Sequence, residues 1–148
     1  MEVRTTRFGK LEIDPADILR FPLGLLGLCA CREWVLIADA HHDALSWLQS
    51  VSRPDVAVAV VSPRRFVPDF QVRVARGDLT SLALARVEDA QVLVVLSRDD
   101  RGQFTLNLKA PLVLNIAQRM GRQVICESEL PLQYVLGDLR PRPMKKSA

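Results

Sequence analysis

Apolar and polar residues alternate along most of this chain with period two rather than at helical spacing. In Lys10-Leu11-Glu12-Ile13-Asp14 and again in Gln103–Lys109 the alternation is strict, the pattern of a strand with one wet face. Val56-Ala57-Val58-Ala59-Val60-Val61 and Val92-Leu93-Val94-Val95-Leu96 are apolar on both faces, which places them centrally in a sheet or inside a barrel. Shorter strands are predicted at Val3–Phe8, Ile18–Phe21, Trp34–Ile37, Trp47–Val51, Gln71–Val74, Leu112–Ile116 and Gln123–Cys126. Turn signals separate them at Phe8-Gly9-Lys10, Arg53-Pro54-Asp55, Ser62-Pro63, Arg101-Gly102 and Met120-Gly121. Helix is scarce: Gly77-Asp78 offers an N-cap before Leu79, Leu82 and Ala83, predicting one short helix near Asp78–Ala85, and Pro15-Ala16-Asp17 could begin a single turn. About ten short strands in one domain favour a closed or strongly bent antiparallel sheet, so the expected fold is all-β, mainly antiparallel, a small β-barrel-like domain with one or two short helices.

The chain has 148 residues, enough for a core without disulfide or metal staples. Residues 1–138 are expected to form that one domain. The end, Leu139-Arg140-Pro141-Arg142-Pro143-Met144-Lys145-Lys146, has no apolar period and reads as a disordered basic tail over residues 139–148. A formal net charge of +3 permits nucleic-acid or acidic-protein partners without demanding either. No signal-peptide pattern opens the chain, and the longest apolar runs fall far short of the roughly 20 residues of a membrane helix. Three cysteines, an odd number without a secretion signal, fit reduced thiols and a cytoplasmic location.

Little in the sequence points to catalysis. The two histidines, His41 and His42, are adjacent, and neighbouring Ser46 and Ser50 fall in no nucleophile motif. Seven scattered glycines form no phosphate-binding loop. Cys29-x-Cys31 followed by His41-His42 is the one metal-like constellation. In a strand the two thiols would share a face while the two imidazoles point apart, and the spacings miss the usual zinc patterns. No metal or cofactor is therefore expected. Arg64-Arg65, Arg98, Arg101, Arg119, Arg122 and the tail could line phosphates, although the aromatic interleaving of single-strand binders is missing. An RNA-binding β-barrel is the alternative reading.

Two loops carry more apolar residues than turns require. Phe21-Pro22-Leu23-Gly24-Leu25-Leu26-Gly27-Leu28 and Pro63-x-x-Phe66-x-Pro68-Asp69-Phe70 either plug the core or form a binding surface. Taken in order, several segments resemble the FliW family of flagellar assembly factors. They are Thr6–Ile13, Phe21–Leu28, Trp47-Leu48-Gln49-Ser50, Ser62-Pro63 with Phe66–Phe70, Leu106–Asn115 and Arg122–Ile125. No single motif is specific; the ordered set is.

The resemblance implies a β-barrel-like protein that is not an enzyme. Such proteins bind CsrA, an RNA-binding translational repressor, and relieve its repression of flagellin mRNA; they also bind flagellin, which switches the CsrA interaction. The basic charge of this chain, where the family is commonly acidic, suits binding CsrA away from its RNA surface. On this reading the partner-binding candidates are Phe21, Pro22, Leu25, Leu26, Phe66, Pro68 and Phe70. Leu25→Asp or Phe66→Asp is expected to weaken a partner while the fold survives.

Overall fold

The computed structural model describes residues 1–136. The predicted tail and the last two residues of the predicted domain lie outside them. The chain is mostly β: β1 (Glu2–Thr5), β2 (Gly9–Glu12), β3 (Leu19–Arg20), β4 (Glu33–Ala38), β5 (Leu45–Ser50), β6 (Ala57–Val61), β7 (Gln91–Arg98), β8 (Phe104–Leu106), β9 (Leu112–Asn115), β10 (Met120–Gln123) and β11 (Tyr134–Val135). One five-residue α-helix, α1 (Arg76–Thr80), and three single turns of 3-10 helix complete the described residues. None of these helices is long and apolar enough to cross a membrane.

Seven strands close a barrel in the order β7-β6-β5-β4-β3-β10-β9, because β9 returns to pair with β7. All neighbours are antiparallel except β3 and β10, which meet in parallel at the single pair Met120↔Arg20. Strand β7 joins the two parts of the sheet. One edge carries β6; the other carries β9 at Gln91–Leu93 and β8 at Leu96–Arg98. The β8–β11 pair extends from that second half, and the β1–β2 hairpin forms a sheet of its own.

The alternation seen in the sequence sorts side chains into two layers. Leu19, Phe21, Leu25, Trp34, Leu48, Val60, Leu112 and Leu114 fill the barrel interior. Leu45, Val61, Val94 and Leu96 point outward and are covered by Phe66, Phe70, Leu106, Leu108 and Leu136. This explains why the runs at Val56–Val61 and Val92–Leu96 are apolar on both faces: the barrel wall is itself sandwiched.

Four expectations about local structure change. Residues Gln71–Val74 form no strand; the Arg73 carbonyl accepts from the Glu127 N–H at 2.7 Å, and Val72 and Val74 pack against the core. The helix ends at Thr80 instead of Ala85. The Asn115 amide donates to the Leu82 and Ala83 carbonyls at 2.7 and 3.3 Å, holding Ala83 at φ 50° and diverting groups a longer helix would need. Strand β8 stops at Leu106, where Asn107 Oδ1 accepts from the Ala110 N–H, and the resulting bend buries Leu106, Leu108 and Ala110 together. Met120-Gly121 is the start of β10 rather than a turn. The turn lies earlier, with Arg119 at φ 54°, and hydrogen bonds from Val124 and Cys126 to Pro111 and Lys109 continue the β9–β10 register beyond the strand.

Candidate functional site

Phe21 and Leu25 are driven into the barrel interior, and the loop between and beyond them is folded back by two glycines. Gly24, at φ +67°, has the Cys29 Cα and the Leu28 and Cys29 carbonyls so close that a Cβ would overlap all three. Leu25 and Leu28 bond to one another across a tight turn whose third residue, Gly27, has φ +78°, the glycine place of a type II turn. Leu26 therefore stands at the tip, 60% exposed, with Leu23 at 65% and Pro22 also open to solvent. The Leu26 N–H donates to Gln123 Oε1 at 2.7 Å, and Gln123 donates onward to the Ala110 carbonyl at 2.9 Å. The loop is thus plugged into the core on one side and tethered to β10 on the other. It presents a stiff apolar ridge.

The other candidates distribute differently. Phe21, Leu25, Phe66 and Phe70 are all buried, from 0% to 5% exposed. These four hold the loops in place and have no surface to offer a partner. Pro68 is half-buried. The expectation that Leu25→Asp or Phe66→Asp would spare the fold is corrected accordingly: both side chains sit in closed hydrophobic clusters, where a carboxylate has no water. Of the seven candidates, Pro22 and Leu26 are exposed; Leu23 is an exposed neighbour that was not singled out.

A second feature escaped the sequence reading. Pairing between β6 and β7 covers only Val60↔Val95 and Val61↔Val94, and below it the strands part. The opening is a groove of about 830 Å³ whose floor includes Ala57, Ala59 and Leu96, with Trp47 and Phe104 at its sides. The Arg7 guanidinium lies 4.1 Å from the Trp47 ring centroid, and that of Arg98 lies 4.5 Å from the Phe104 centroid. Phe8 meets Trp47 edge-on at 6.1 Å. The Trp47 indole N–H donates to Asp39 Oδ1 at 3.0 Å, while Asp39 Oδ2 accepts from the backbone N–H groups of His41 and His42. The indole bond first, then the His41 amide, hold the Asp39 carboxyl below its ordinary value. In the β5–β6 register Ala59 lies opposite Trp47 and leaves the hollow beside the indole, a pairing that no local sequence pattern marks.

His41 and His42 cap the β4–β5 turn as exposed residues. Cys29 is exposed, whereas Cys31 and Cys126 are buried. Burial pushes the Cys126 thiol above its ordinary value, against the opposing pull of the Arg73 amide and Lys109. Among the described residues no group of three or more His, Cys, Asp or Glu side chains converges as metal ligands would.

Most of the arginines considered for phosphate binding have partners within the chain. Arg64 and Arg65 donate to the Phe70 and Asp43 carbonyls, Arg119 pairs with Asp17, and Arg122 grips both the carbonyl and the carboxylate of Asp78. Arg98 lies over Phe104.

The profile of the FliW protein family matches residues 2–136. The flagellar assembly factor FliW of Magnetococcus marinus is 33% identical over 150 aligned positions, covering all of this chain and 93% of the relative. That of Bdellovibrio bacteriovorus is 37% identical, covering 86% of this chain and 73% of its own length. A crystal structure of the flagellar assembly factor FliW superimposes with a TM-score of 0.82 at 26% identity, covering 91% of this chain and 96% of that one.

Proposed function

Because the chain belongs to the FliW family, we propose that it is a flagellar assembly factor acting by protein association in the cytoplasm and not by catalysis. It binds the translational repressor CsrA, relieving repression of flagellin mRNA, and it binds flagellin, which releases CsrA. The family match across nearly the whole described chain carries this reading.

The ridge of Pro22, Leu23 and Leu26 is its partner surface. Flagellin offers an amphipathic terminal helix before assembly, and such a helix seeks an apolar platform. A loop stiffened by proline, two left-handed glycines and the Gln123 tether loses little entropy on binding. Release of CsrA by flagellin requires negative coupling between the two binding events, which is reciprocal by linkage.

Titrating flagellin into a preformed complex with CsrA tests the switch. CsrA should leave as flagellin binds. A stable three-way complex with unchanged CsrA affinity would overturn the reading.

A further inference from the structure

The groove between β6 and β7 lies on the barrel wall, formed by elements other than the Pro22–Leu26 ridge, and part of its rim is unpaired backbone. The Ser50 N–H donates to the Val56 carbonyl, so strand alternation turns the backbone of Val56, Val58 and Val60 toward β5 and that of Ala57 and Ala59 toward β7. On the facing strand the Asn107 N–H donates to the Val95 carbonyl, which turns the backbone of Leu96 and Arg98 toward β6. Continued in register, Ala57 would pair with Arg98, but the ladder has ended by then. The Ala57 N–H and C=O therefore face the groove with no ladder partner among the described residues. A sheet edge of this kind is a template for an added strand.

We propose that this groove takes an extended acidic segment of a partner protein, paired with the open Ala57 backbone at the start of β6. Alternate guest side chains point to opposite faces: on the outer face, where Ala57 and Ala59 leave room, they are the carboxylates, and small apolar ones between them turn toward Val56 and Val58. The charge is set by Arg7 and Arg98, both exposed, against the Asp39 carboxylate, whose oxygens are already taken by Trp47, His41 and His42. Those outer-face carboxylates would meet the two guanidinium groups, which lie over Trp47 and Phe104 on the same face. Single-stranded RNA fits less well, because the arginines cover faces of Trp47 and Phe104 on which bases would stack. The chain's own end is also a poor occupant. Leu136 donates to the Phe104 carbonyl beside the groove, yet the sequence beyond it carries Arg140, Arg142, Lys145 and Lys146 against Asp138 alone.

The test uses the full chain and an N-acetylated seven-residue peptide of alternating Glu and Val, with its Lys/Val counterpart as control. The Glu/Val peptide should bind at least tenfold more tightly than the Lys/Val one. It should slow hydrogen exchange at the Ala57 amide and shift the Trp47 indole N–H resonance. Ala57→Pro removes the groove-facing N–H at the first residue of β6, where proline is tolerated, and should reduce binding at least tenfold with the melting temperature held. Should that variant fail to fold, Ala59→Phe, which fills the floor, should produce the same loss. Equal binding of the two peptides, or full binding by a folded blocking variant, would overturn the proposal. So would displacement of the Glu/Val peptide by oligouridylate. Faster exchange at the Ala57 amide after removal of residues 137–148 would assign the groove to the chain's own end instead.

Discussion

Gly121→Ala should strike the barrel at its closing seam. Gly121 lies in β10 with the Phe21 ring set so close that a Cβ would overlap three of its carbons, Cζ, Cε1 and Cε2. The ring is fully buried in a cluster with Leu19, Trp34, Leu48 and Leu114. One methyl group must therefore push the ring off its rotamer or β10 away from β3. The two strands share only the Met120↔Arg20 pair and the bond from the Arg20 N–H to the Arg119 carbonyl at 2.9 Å. Overpacking of a dense core costs about 1–3 kcal/mol, and a blocked ring beside a thin seam belongs in the upper half of that range. A loss of about 2–3 kcal/mol lowers the melting temperature by roughly 6–9 °C in a domain of this size. Urea unfolding followed by tryptophan fluorescence measures the loss. The control is Phe21→Leu, which alone lowers stability through lost burial but should relieve the clash in the double variant, giving a favourable coupling of about 1 kcal/mol or more. A Gly121→Ala protein within about 0.5 kcal/mol of the original, or strictly additive double-variant energies, would refute the close-approach argument.

Three further outcomes follow from the site. Leu26→Asp should leave stability within about 0.5 kcal/mol and weaken association with flagellin or CsrA, whereas Leu25→Asp should cost at least about 3 kcal/mol; thermal melts and binding titrations of the pair distinguish exposed tip from buried plug. The Trp47 indole N–H resonance should titrate at a pH below the ordinary carboxylate range. Because Asp39 is depressed in the folded chain, its contribution is full above the unfolded carboxyl's value and fades as pH falls through the lower folded value; Asp39→Asn should abolish that acid-side change. Of the three thiols, Cys29 should react promptly with a disulfide reagent in the native protein, while Cys31 and Cys126 should react at the rate of opening or only in denaturant; three equal rates would contradict their placement.

The strands were legible because alternation is a local signal, and it located β4, β5, β6 and β7 to within a residue or two. Closure was not legible. That β9 pairs with β7, and β10 with β3, depends on partners far apart in sequence, and no local pattern encodes it. The same limit explains the site. Phe21 and Leu26 look alike in a run of apolar residues, and only Gly24, Gly27 and the fit against Gly121 decide which is a plug and which a tip. Tyr134–Val135 went unnoticed as a strand because its two residues pair with β8 alone. Ala57 and Ala59 read as filler within a valine run, since a hollow shows only once the facing strand is seen to diverge.

The order in which the barrel strands become available follows from the seam between β3 and β10. A chain emerging from the ribosome can lay down β3 to β7 as a continuous run of antiparallel neighbours, but both outer edges of that sheet stay bare. Strand β8 covers the Leu96–Arg98 end of β7, but the β3 edge and Gln91–Leu93 are covered only when the β9–β10 hairpin arrives, about a hundred residues after β3, and wedges itself between β3 and β7. Until then Phe21 has no Gly121 to lie against, and the interior lacks Leu112 and Leu114. A truncated product ending before Leu112 is therefore an open, apolar, edge-bearing sheet, the kind of intermediate that aggregates or is degraded. The Pro22–Leu26 ridge is assembled last as well, because its Gln123 tether belongs to the final barrel strand. Synthesis thus delivers the Pro22–Leu26 surface in its final shape only after the strand that closes the molecule.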